Sequence, residues 1–436
     1  MTEAAVEPTR PPGAPSRSAP PRARTLVLAL LLVLLLGQRL GVPISEGQQI
    51  PAALLLATGL LALGLLTGAF VLDRQRVLLY LTSMTILTLL TVVSLARQQD
   101  PSVLSVFFVI ALYALATVRA SVLEADEVRS LLDSYVRIMS VLAVIGIVHA
   151  GVQYLGIPYD DWFARVVPEP FIMQGYNTGD PIVWDSPIYR TNGVVFLEPS
   201  FFSYFLGIAV VVALYRGHSV WIVSLLMVAI VPTLAGNGLV VVAAGIVALA
   251  LGRHRRNLLV LVVPAGAAVL LALATPLAAH FLNRVTEVSN PDSSSSMRLV
   301  QPYEMLWPAW LDDPVSLLLG NGAGSATDIV AASSVPGVLA PVLPKVFFEY
   351  GVIGAMAFLV FVLWSLGAGG GERPWAAGIL VSYLALNAAF LQETFALSTI
   401  LFVHLLRQPR PSLEPRRPGR SPQVGHRPPS SRERRR

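Results

Sequence analysis

The chain has 436 residues, of which 54% are hydrophobic and 13% are charged, and its mean hydropathy is +0.66. This composition leaves too little polar surface for a soluble globule of that size, so it predicts an integral membrane protein. The chain contains no cysteine, which excludes a disulfide framework and a cysteine-based zinc site.

The net charge of +5 is concentrated at the two ends of the sequence. Residues 1–24 carry four Arg and two Glu, and residues 407–436 carry ten Arg and two Glu, so the chain between them is net acidic. Both end segments are also rich in proline. We therefore predict disordered cytoplasmic tails over residues 1–24 and 408–436 that contact anionic lipid headgroups and not nucleic acid.

Apolar runs predict an all-α, polytopic membrane domain over residues 25–407 with about twelve transmembrane helices. The stretch 219–251 contains Pro232 and the turn sequence Gly236-Asn237-Gly238, and it forms either two short spans or a re-entrant hairpin. The twelve runs lie at residues 25–41, 50–72, 77–95, 102–118, 131–155, 193–215, 219–235, 238–251, 258–281, 345–366, 375–391 and 394–407.

The placement of arginine predicts the orientation of these spans. With a cytoplasmic N-terminus, the inside connections hold the clustered arginines near residues 74–76, 119–129, 253–256 and 373, together with both tails. Both termini are then cytoplasmic. The two long loops, at about 156–192 and 282–344, lie outside the membrane.

The end of the first long loop reads Y-R-T-N-G-V-V-F-L-E-P-S over Tyr189–Ser200. Thr191 and Asn192 are good cap residues for a helix that begins near Gly193. Arg190 beside that helix N-terminus would form an anion site of the kind that phosphates occupy. The alternative is an interfacial arginine that extends to the headgroups.

Glu198 then lies about two turns inside the predicted span and precedes Pro199, which removes a backbone donor. A carboxylate in the hydrocarbon region is costly, so it should face a partner or a hydrated cavity. It is either a site residue or the partner of an arginine on a neighbouring helix.

The second polar segment reads S-S-S-M-R-L-V-Q over Ser294–Gln301 and carries Arg298. The aromatic residues that follow indicate an amphipathic segment in the membrane interface. Further on, the sequence G-N-G-A-G at residues 320–324 follows no predicted strand, which favours a tight turn over a phosphate-binding loop.

Lys345, the only lysine in the chain, stands one turn before Glu349 at the start of a span. The pair is either an i,i+4 contact that supports helix packing or part of a site, and the sequence leaves both open. The sequence has no nucleotide-binding or metal-ligand motif. We therefore expect neither a metal nor a cofactor.

Four motifs in chain order resemble the O-antigen polymerase and ligase superfamily, most closely the Wzy-type exopolysaccharide polymerases. They are R-T-N-G-V-V-F-L-E-P-S entering a span, S-S-M-R in the next long loop, L-L-L-G-N-G-A-G, and K-V-F-F-E-Y-G-V-I-G-A opening another span. The resemblance covers roughly residues 130–405. It implies a GT-C-like helical fold in the bacterial plasma membrane.

The resemblance also implies that Arg190 and Arg298 bind the pyrophosphate of a polyprenyl-linked oligosaccharide. Ligases of the superfamily usually carry a histidine before the last of these motifs, and here Lys345 is the nearest basic residue. Glu198 and Glu349 are the candidates for the general base. Membrane lipid and a chain-length regulator are further candidate partners.

The implied reaction is the metal-independent polymerisation of lipid-linked repeat units at the outer face of the membrane. A ligase that transfers the glycan to another acceptor is the first alternative. A secondary transporter is the second, because twelve spans are common among transporters. However, transporters concentrate polar residues near the middle of the membrane, whereas here they cluster at one edge.

Overall fold

The computed structural model describes residues 21–45, 48–121, 123–182, 186–252, 254–274, 296–333, 338–367, 373–387 and 390–406. The chain is mostly helical, with little strand. Of the predicted tails, residues 21–24 form part of the first helix, while residues 1–20 and 408–436 lie outside the described part.

Nine α-helices of the described residues precede the second long loop. They are α1 (Pro21–Leu36), α2 (Ala52–Leu66), α3 (Arg74–Ala96), α4 (Val103–Ala114), α5 (Ala125–Tyr154), α6 (Pro199–Arg216), α7 (Val220–Ile230), α8 (Gly236–Leu251) and α9 (Val262–Ala274). Two short antiparallel hairpins lie between them, formed by β1 (Gly41–Ser45) with β2 (Gln48–Pro51) and β3 (Phe70–Leu72) with β4 (Val118–Ala120).

Seven more described helices follow. Four short ones belong to the second long loop: α10 (Ser296–Leu299), α11 (Gln301–Leu311), α12 (Pro314–Leu319) and α13 (Ser325–Ala332). The last three are α14 (Val342–Val362), α15 (Pro374–Val381) and α16 (Glu393–Thr399), each extended by a π-helical turn. Proline opens α6, α12 and α15, where a missing N–H costs no hydrogen bond.

Four helices of the described chain are long and apolar enough to cross a membrane: α3, α5, α6 and α14 with its extension to Ser365. The other predicted spans fall on shorter apolar helices, of which seven have between 10 and 17 residues. The predicted span 258–281 contains α9 and continues beyond residue 274, outside the described residues.

Long-range contacts divide the connections between helices into two sets. Loop 1, which joins α5 to α6 over residues 155–198, contacts the connection between α1 and α2 through Arg39 and Gln49. Loop 2, which joins α9 to α14, contacts the end of α3, where Arg97 pairs with Asp313 at 2.8 Å. We call this set the loop end.

The other set holds connections in which arginine is frequent, and we call it the arginine end. Asp73, before α3, lies 3.6 Å from Arg119, and β3 pairs with β4 beside it. Arg216, at the end of α6, forms two hydrogen bonds with Asp133 of α5, at 2.9 and 3.0 Å. Among the described residues, Arg119 and Arg216 therefore belong to this end of the fold.

The stretch 219–251 forms two helices, each of which runs between the two ends. α7 begins four residues after Arg216, and the carbonyl oxygen of Pro232 beyond its end accepts a hydrogen bond from the Thr191 N–H of loop 1 at 3.1 Å. α8 then returns toward Asn257, whose side chain donates to the Leu214 carbonyl oxygen of α6. Neither helix is among the four described helices that are long enough to cross a membrane.

Helix α6 is the most enclosed long helix, and every residue from Pro199 to Leu214 is buried. Its close neighbour is α8, and glycine permits the approach. A Cβ atom on Gly207 would lie 2.5 Å from the Gly238 carbonyl oxygen, and one on Gly238 would lie 2.2 Å from that of Ser203. The packing fixes α6 in the core with its N-terminus at the loop end.

Candidate functional site at the loop end

The first polar segment forms a tight turn before α6, so the prediction that this helix begins near Gly193 is wrong. Gly193 and Val194 have φ angles of +63° and +69°, in the left-handed region, which ends any helix there. The Asn192 side chain holds the turn by accepting from the Val194 N–H and donating to the Phe196 carbonyl oxygen. α6 begins at Pro199 instead.

Glu198 consequently is the N-cap residue of α6 and does not lie two turns inside it. Its carboxylate is half-buried and accepts two hydrogen bonds, from the Asn177 N–H at 3.3 Å and from the Ser200 hydroxyl at 3.2 Å. Within the described residues Glu198 forms no ion pair. Its hydrogen-bond partners belong to loop 1 and to the first turn of α6, and these two segments of the loop end hold the carboxylate in place.

Tyr176 of loop 1 lies beside Glu198 and a second glutamate, Glu393. The Gln392 side chain donates to the Tyr176 hydroxyl at 3.4 Å, and the Tyr176 ring stands edge-on to Phe201 at 6.1 Å between centroids. Burial raises the pKa of the Tyr176 hydroxyl, and the negative charges of Glu393 and Glu198 raise it further. Both carboxylates therefore contribute to the raised pKa of the same phenol hydroxyl.

Glu393 is the first residue of α16 and only 4% exposed. Two residues on, the Phe395 ring stacks on Phe201 of α6 at 4.8 Å, which holds the beginnings of the two helices side by side. We define the Tyr176 site as Tyr176, Asn177, Glu198, Gln392 and Glu393. Glu393 was not predicted from the sequence, although a lone carboxylate before an apolar run is a signal that could have found it.

Arg190 lies close to the Tyr176 site and is paired with Asp180. Its guanidinium donates to the Asp180 carboxylate at 2.7 Å, and its backbone N–H donates to the Asp180 carbonyl oxygen at 2.8 Å. Asp180 follows Asn177, the partner of Glu198, by three residues, so their Cα atoms are at most about 11 Å apart. The predicted anion-binding arginine and the first predicted carboxylate therefore share one segment of loop 1.

Arg298 belongs to α10, a short helix of loop 2, and its side chain is half-buried. α10 contacts the π-helical turn Ser382–Leu386 that extends α15. Asn387, directly after this turn, accepts a hydrogen bond from Asn237 of α8 at 2.9 Å. Arg298 thus lies on an element next to the chain segment that leads to Glu393.

Lys345 and Glu349 form a buried pair within α14. The Lys345 ammonium lies 2.9 Å from the Glu349 carboxylate, and the two side chains are 9% and 1% exposed. The ammonium also donates to the Thr327 hydroxyl of α13 at 2.8 Å. The charges neutralise each other inside the protein, which favours the packing interpretation over a site role.

The glycine-rich turn of loop 2 packs on the same part of α14. Gly320, Gly322 and Gly324 all have positive φ angles, and the Gly322 N–H donates to the Glu349 carbonyl oxygen at 2.9 Å. Gly351 has a φ angle of +61° and breaks the regular helix where a Cβ atom would meet the Leu318 carbonyl oxygen at 2.3 Å. The predicted tight turn is confirmed. We call Lys345, Glu349 and these glycines the α14 joint.

Arg39, just after α1, forms hydrogen bonds with two residues of loop 1. This arginine is 1% exposed, forms two hydrogen bonds with the Asp161 carboxylate, and donates to the carbonyl oxygen of the left-handed Val194 at 2.9 Å. Burial alone would raise the pKa of Asp161, but the hydrogen bond and the charge of Arg39 outweigh it and lower that pKa. The Arg39 clamp holds the turn that precedes Glu198.

Within the described residues no group of three or more His, Asp and Glu side chains is arranged to hold a metal ion. The chain matches no protein-family model, and no curated protein is similar to it. The chemistry of the Tyr176 site must therefore be argued from its own residues.

Proposed function

We propose that the protein is a bacterial plasma-membrane glycosyltransferase that polymerises polyprenyl-pyrophosphate-linked oligosaccharide repeat units. In this proposal the chain crosses the membrane about twelve times, both termini are cytoplasmic, and the loop end faces outward. The separation of the connections supports this arrangement, because the arginine-rich ones share one end and the two long loops share the other.

One observation supports the proposal most directly. Arg190 pairs with Asp180, and Asp180 lies three residues after Asn177, whose backbone N–H binds the Glu198 carboxylate. The Arg190 side chain is 16% exposed and that of Asp180 is 35% exposed, and in this proposal an incoming pyrophosphate replaces Asp180 as the partner of the guanidinium. The phosphate oxygens match the planar fork of arginine, and hydrogen bonds between charged groups are stronger than neutral ones. In this arrangement the carboxylates of the Tyr176 site face the sugar that is linked to the pyrophosphate.

The reaction needs an activated donor, because nucleotide sugars and ATP are absent outside the plasma membrane. A sugar on polyprenyl pyrophosphate is already activated. When its anomeric bond breaks, negative charge develops on the pyrophosphate, and Arg190 stabilises it with Arg298 as the second guanidinium. A carboxylate of the Tyr176 site removes the proton from the attacking hydroxyl of the acceptor.

Glu198 is the predicted carboxylate that lies at this site. Glu349 is enclosed in the α14 joint and neutralised by Lys345. The proposed division of roles therefore assigns the chemistry to the Tyr176 site and assigns the packing of loop 2 against the bundle to the α14 joint.

The test is a polymerisation assay with purified protein and one lipid-linked repeat unit in the presence of EDTA. We expect a ladder of products that differ by one whole repeat. Products that stop after a single transfer to a different acceptor would make the protein a ligase. A solute that crosses proteoliposomes, with no glycan transfer, would make it a transporter.

The proposed topology is tested with single cysteines introduced at positions 254 and 420, since the chain has no cysteine of its own. A membrane-impermeant thiol reagent should not label either position in intact cells. Labelling from outside would contradict the orientation and with it the external position of both long loops.

A further inference from the structure

The two glutamates of the Tyr176 site differ in what holds their carboxylates. Glu198 accepts one hydrogen bond at each oxygen, from the Asn177 N–H and from the Ser200 hydroxyl. Glu393 is 4% exposed, and it accepts hydrogen bonds only from its own backbone N–H and from the Thr394 hydroxyl at 3.4 Å. In the described part of the chain no cation pairs with it. Glu393 is therefore the more deeply buried carboxylate of the two, and its described hydrogen bonds come only from residues 393 and 394.

A buried carboxylate without a cation is costly, and folds usually neutralise such a group, as Lys345 neutralises Glu349. Leucine or glutamine at position 393 would avoid that cost. The side chain instead lies beneath the polar surface of loop 1, close enough for its charge to act on the Tyr176 hydroxyl. A ligand that brings a hydroxyl group would supply the missing partner.

Tyr176 lies next to the start of α16, because the Gln392 side chain binds its hydroxyl, and it belongs to a short segment bounded by Gly175 and Gly179. Gly175 has a φ angle of +84°, and a Cβ atom there would meet nothing within 4 Å. Tyr176 is half-buried, whereas Asn177 beside it is exposed. The interactions described for the Tyr176 side chain are one hydrogen bond of 3.4 Å and the edge-on ring contact. Access of a ligand to Glu393 requires this segment to move, and the few contacts of the Tyr176 side chain place little restraint on such a movement.

We propose that Glu393, and not Glu198, accepts the proton of the acceptor hydroxyl, while Glu198 holds loop 1 in place. This inference rests on the proposed function. The hydroxyl oxygen of the acceptor sugar forms a bond to the anomeric carbon of the donor as the bond from that carbon to the pyrophosphate oxygen breaks. The electron pair of the broken bond stays on the pyrophosphate, and the hydroxyl proton moves to the Glu393 carboxylate and then to water.

The experiment compares Glu393→Gln and Glu198→Gln in the polymerisation assay across pH, with Glu169→Gln as the control. Glu169 is an exposed glutamate of loop 1, so its variant makes the same chemical change outside the site. We expect Glu393→Gln to lower kcat about 100-fold or more, the range for loss of a general base. We expect the wild-type rate to decline toward acid pH as the general base becomes protonated, and the residual rate of Glu393→Gln should lose that decline.

Glu198→Gln should keep that decline toward acid pH, and Glu169→Gln should match the wild type. Binding of undecaprenyl pyrophosphate, measured separately, should be unchanged in Glu393→Gln because Glu393 acts on the acceptor. Wild-type turnover in Glu393→Gln, or loss of the acid decline in Glu198→Gln instead, would overturn the assignment of Glu393 and leave the polymerase function intact. Failure of the wild-type protein to transfer would overturn both.

Glu393→Asp provides a second measurement if the Gln variant does not insert. The shorter side chain keeps the carboxylate but withdraws it from the acceptor. We expect a rate at least about tenfold below that of the wild type, with the decline toward acid pH preserved. A wild-type rate in this variant would contradict a direct role in proton transfer.

Discussion

The Tyr176 site and the α14 joint both contain glutamate at the loop end, and the two sites differ in which group balances the negative charge of the carboxylates. Glu349 is 1% exposed and paired with Lys345, and the glycine-rich turn packs on its backbone. Glu198 and Glu393 have no paired cation among the described residues, and both act on the Tyr176 hydroxyl. The comparison teaches that two buried glutamates of one fold can differ in charge balance, since Lys345 neutralises Glu349 whereas no described cation neutralises Glu393.

The largest effect is expected at Arg190. Replacement by alanine removes the guanidinium that would hold the leaving pyrophosphate, and we expect transfer to fall on the order of 1000-fold, as for loss of a preorganised donor. Arg190→Lys should recover little of this, because an ammonium lacks the planar fork. The measurement is the rate of polymer formation at equal amounts of inserted protein.

The matched control is Arg165→Ala. Arg165 lies in the same loop and pairs with Asp160 at 2.7 Å, but its side chain is 72% exposed. We expect near wild-type transfer. Equal losses in the Arg165 and Arg190 variants would indicate that loop 1 responds to any lost ion pair.

The next effect is on stability and concerns the α14 joint. Glu349→Gln leaves the Lys345 ammonium buried without its counter-charge, which should cost about 3–5 kcal/mol of unfolding free energy. The double variant Lys345→Met, Glu349→Leu removes both charges at similar volume and should recover most of that loss. Thermal unfolding in detergent measures both. A stable Glu349→Gln protein would show that the pair does not hold the joint together.

A smaller loss is expected when the Arg39 clamp is broken. Asp161→Asn leaves the buried Arg39 without its charged acceptor, and we expect a cost of about 1.5–3 kcal/mol, the range for hydrogen bonds to charged groups. Hydrogen exchange in loop 1 should rise, including near Val194. Unchanged hydrogen exchange near Val194 would show that the clamp does not stabilise the turn that precedes Glu198.

The same clamp predicts a dependence on pH. The pKa of Asp161 is lower in the folded protein than in the unfolded chain, where it is about 3.9. Its contribution to stability is therefore fully present above about pH 4 and is lost as the pH falls through the folded pKa. Limited proteolysis of loop 1 should accelerate in that acid range, and the Asp161→Asn protein should show no such acceleration.

The smallest effect is expected at Ser200. Ser200→Ala removes one of the two hydrogen bonds to the Glu198 carboxylate and should cost about 0.5–1.5 kcal/mol of stability. Transfer should fall less than about tenfold, because the Asn177 N–H still holds the other oxygen. A loss as large as that of Arg190→Ala would mean that Glu198 takes part in the chemistry directly.

The helices could be predicted because apolar runs and their breaks are local in the sequence. The start of α6 could not, since it depends on the left-handed backbone of Val194, a branched residue that rarely adopts that conformation. Arg39 holds that turn by donating to the Val194 carbonyl oxygen, although the two residues are 155 positions apart in the chain. No local pattern shows such a contact.

The candidate site was predictable only in part, for a related reason. The sequence identifies Arg190 and Glu198 because both interrupt an otherwise apolar approach to a helix. It cannot show that Asp180 pairs with the arginine, nor that Glu393 comes to the same place from the far end of the chain. The Lys345 and Glu349 spacing permits two interpretations, and the burial of both side chains distinguishes them.

The most direct test of the account compares three proteins in one polymerisation assay: the wild type, Arg190→Ala, and the Lys345→Met, Glu349→Leu double variant. We assign the chemistry to Arg190 together with the Tyr176 site, and the packing of loop 2 to the α14 joint. This assignment therefore predicts a ladder of repeat-spaced products from the wild type and the double variant, and none from Arg190→Ala. A ladder from Arg190→Ala together with none from a folded double variant would contradict it.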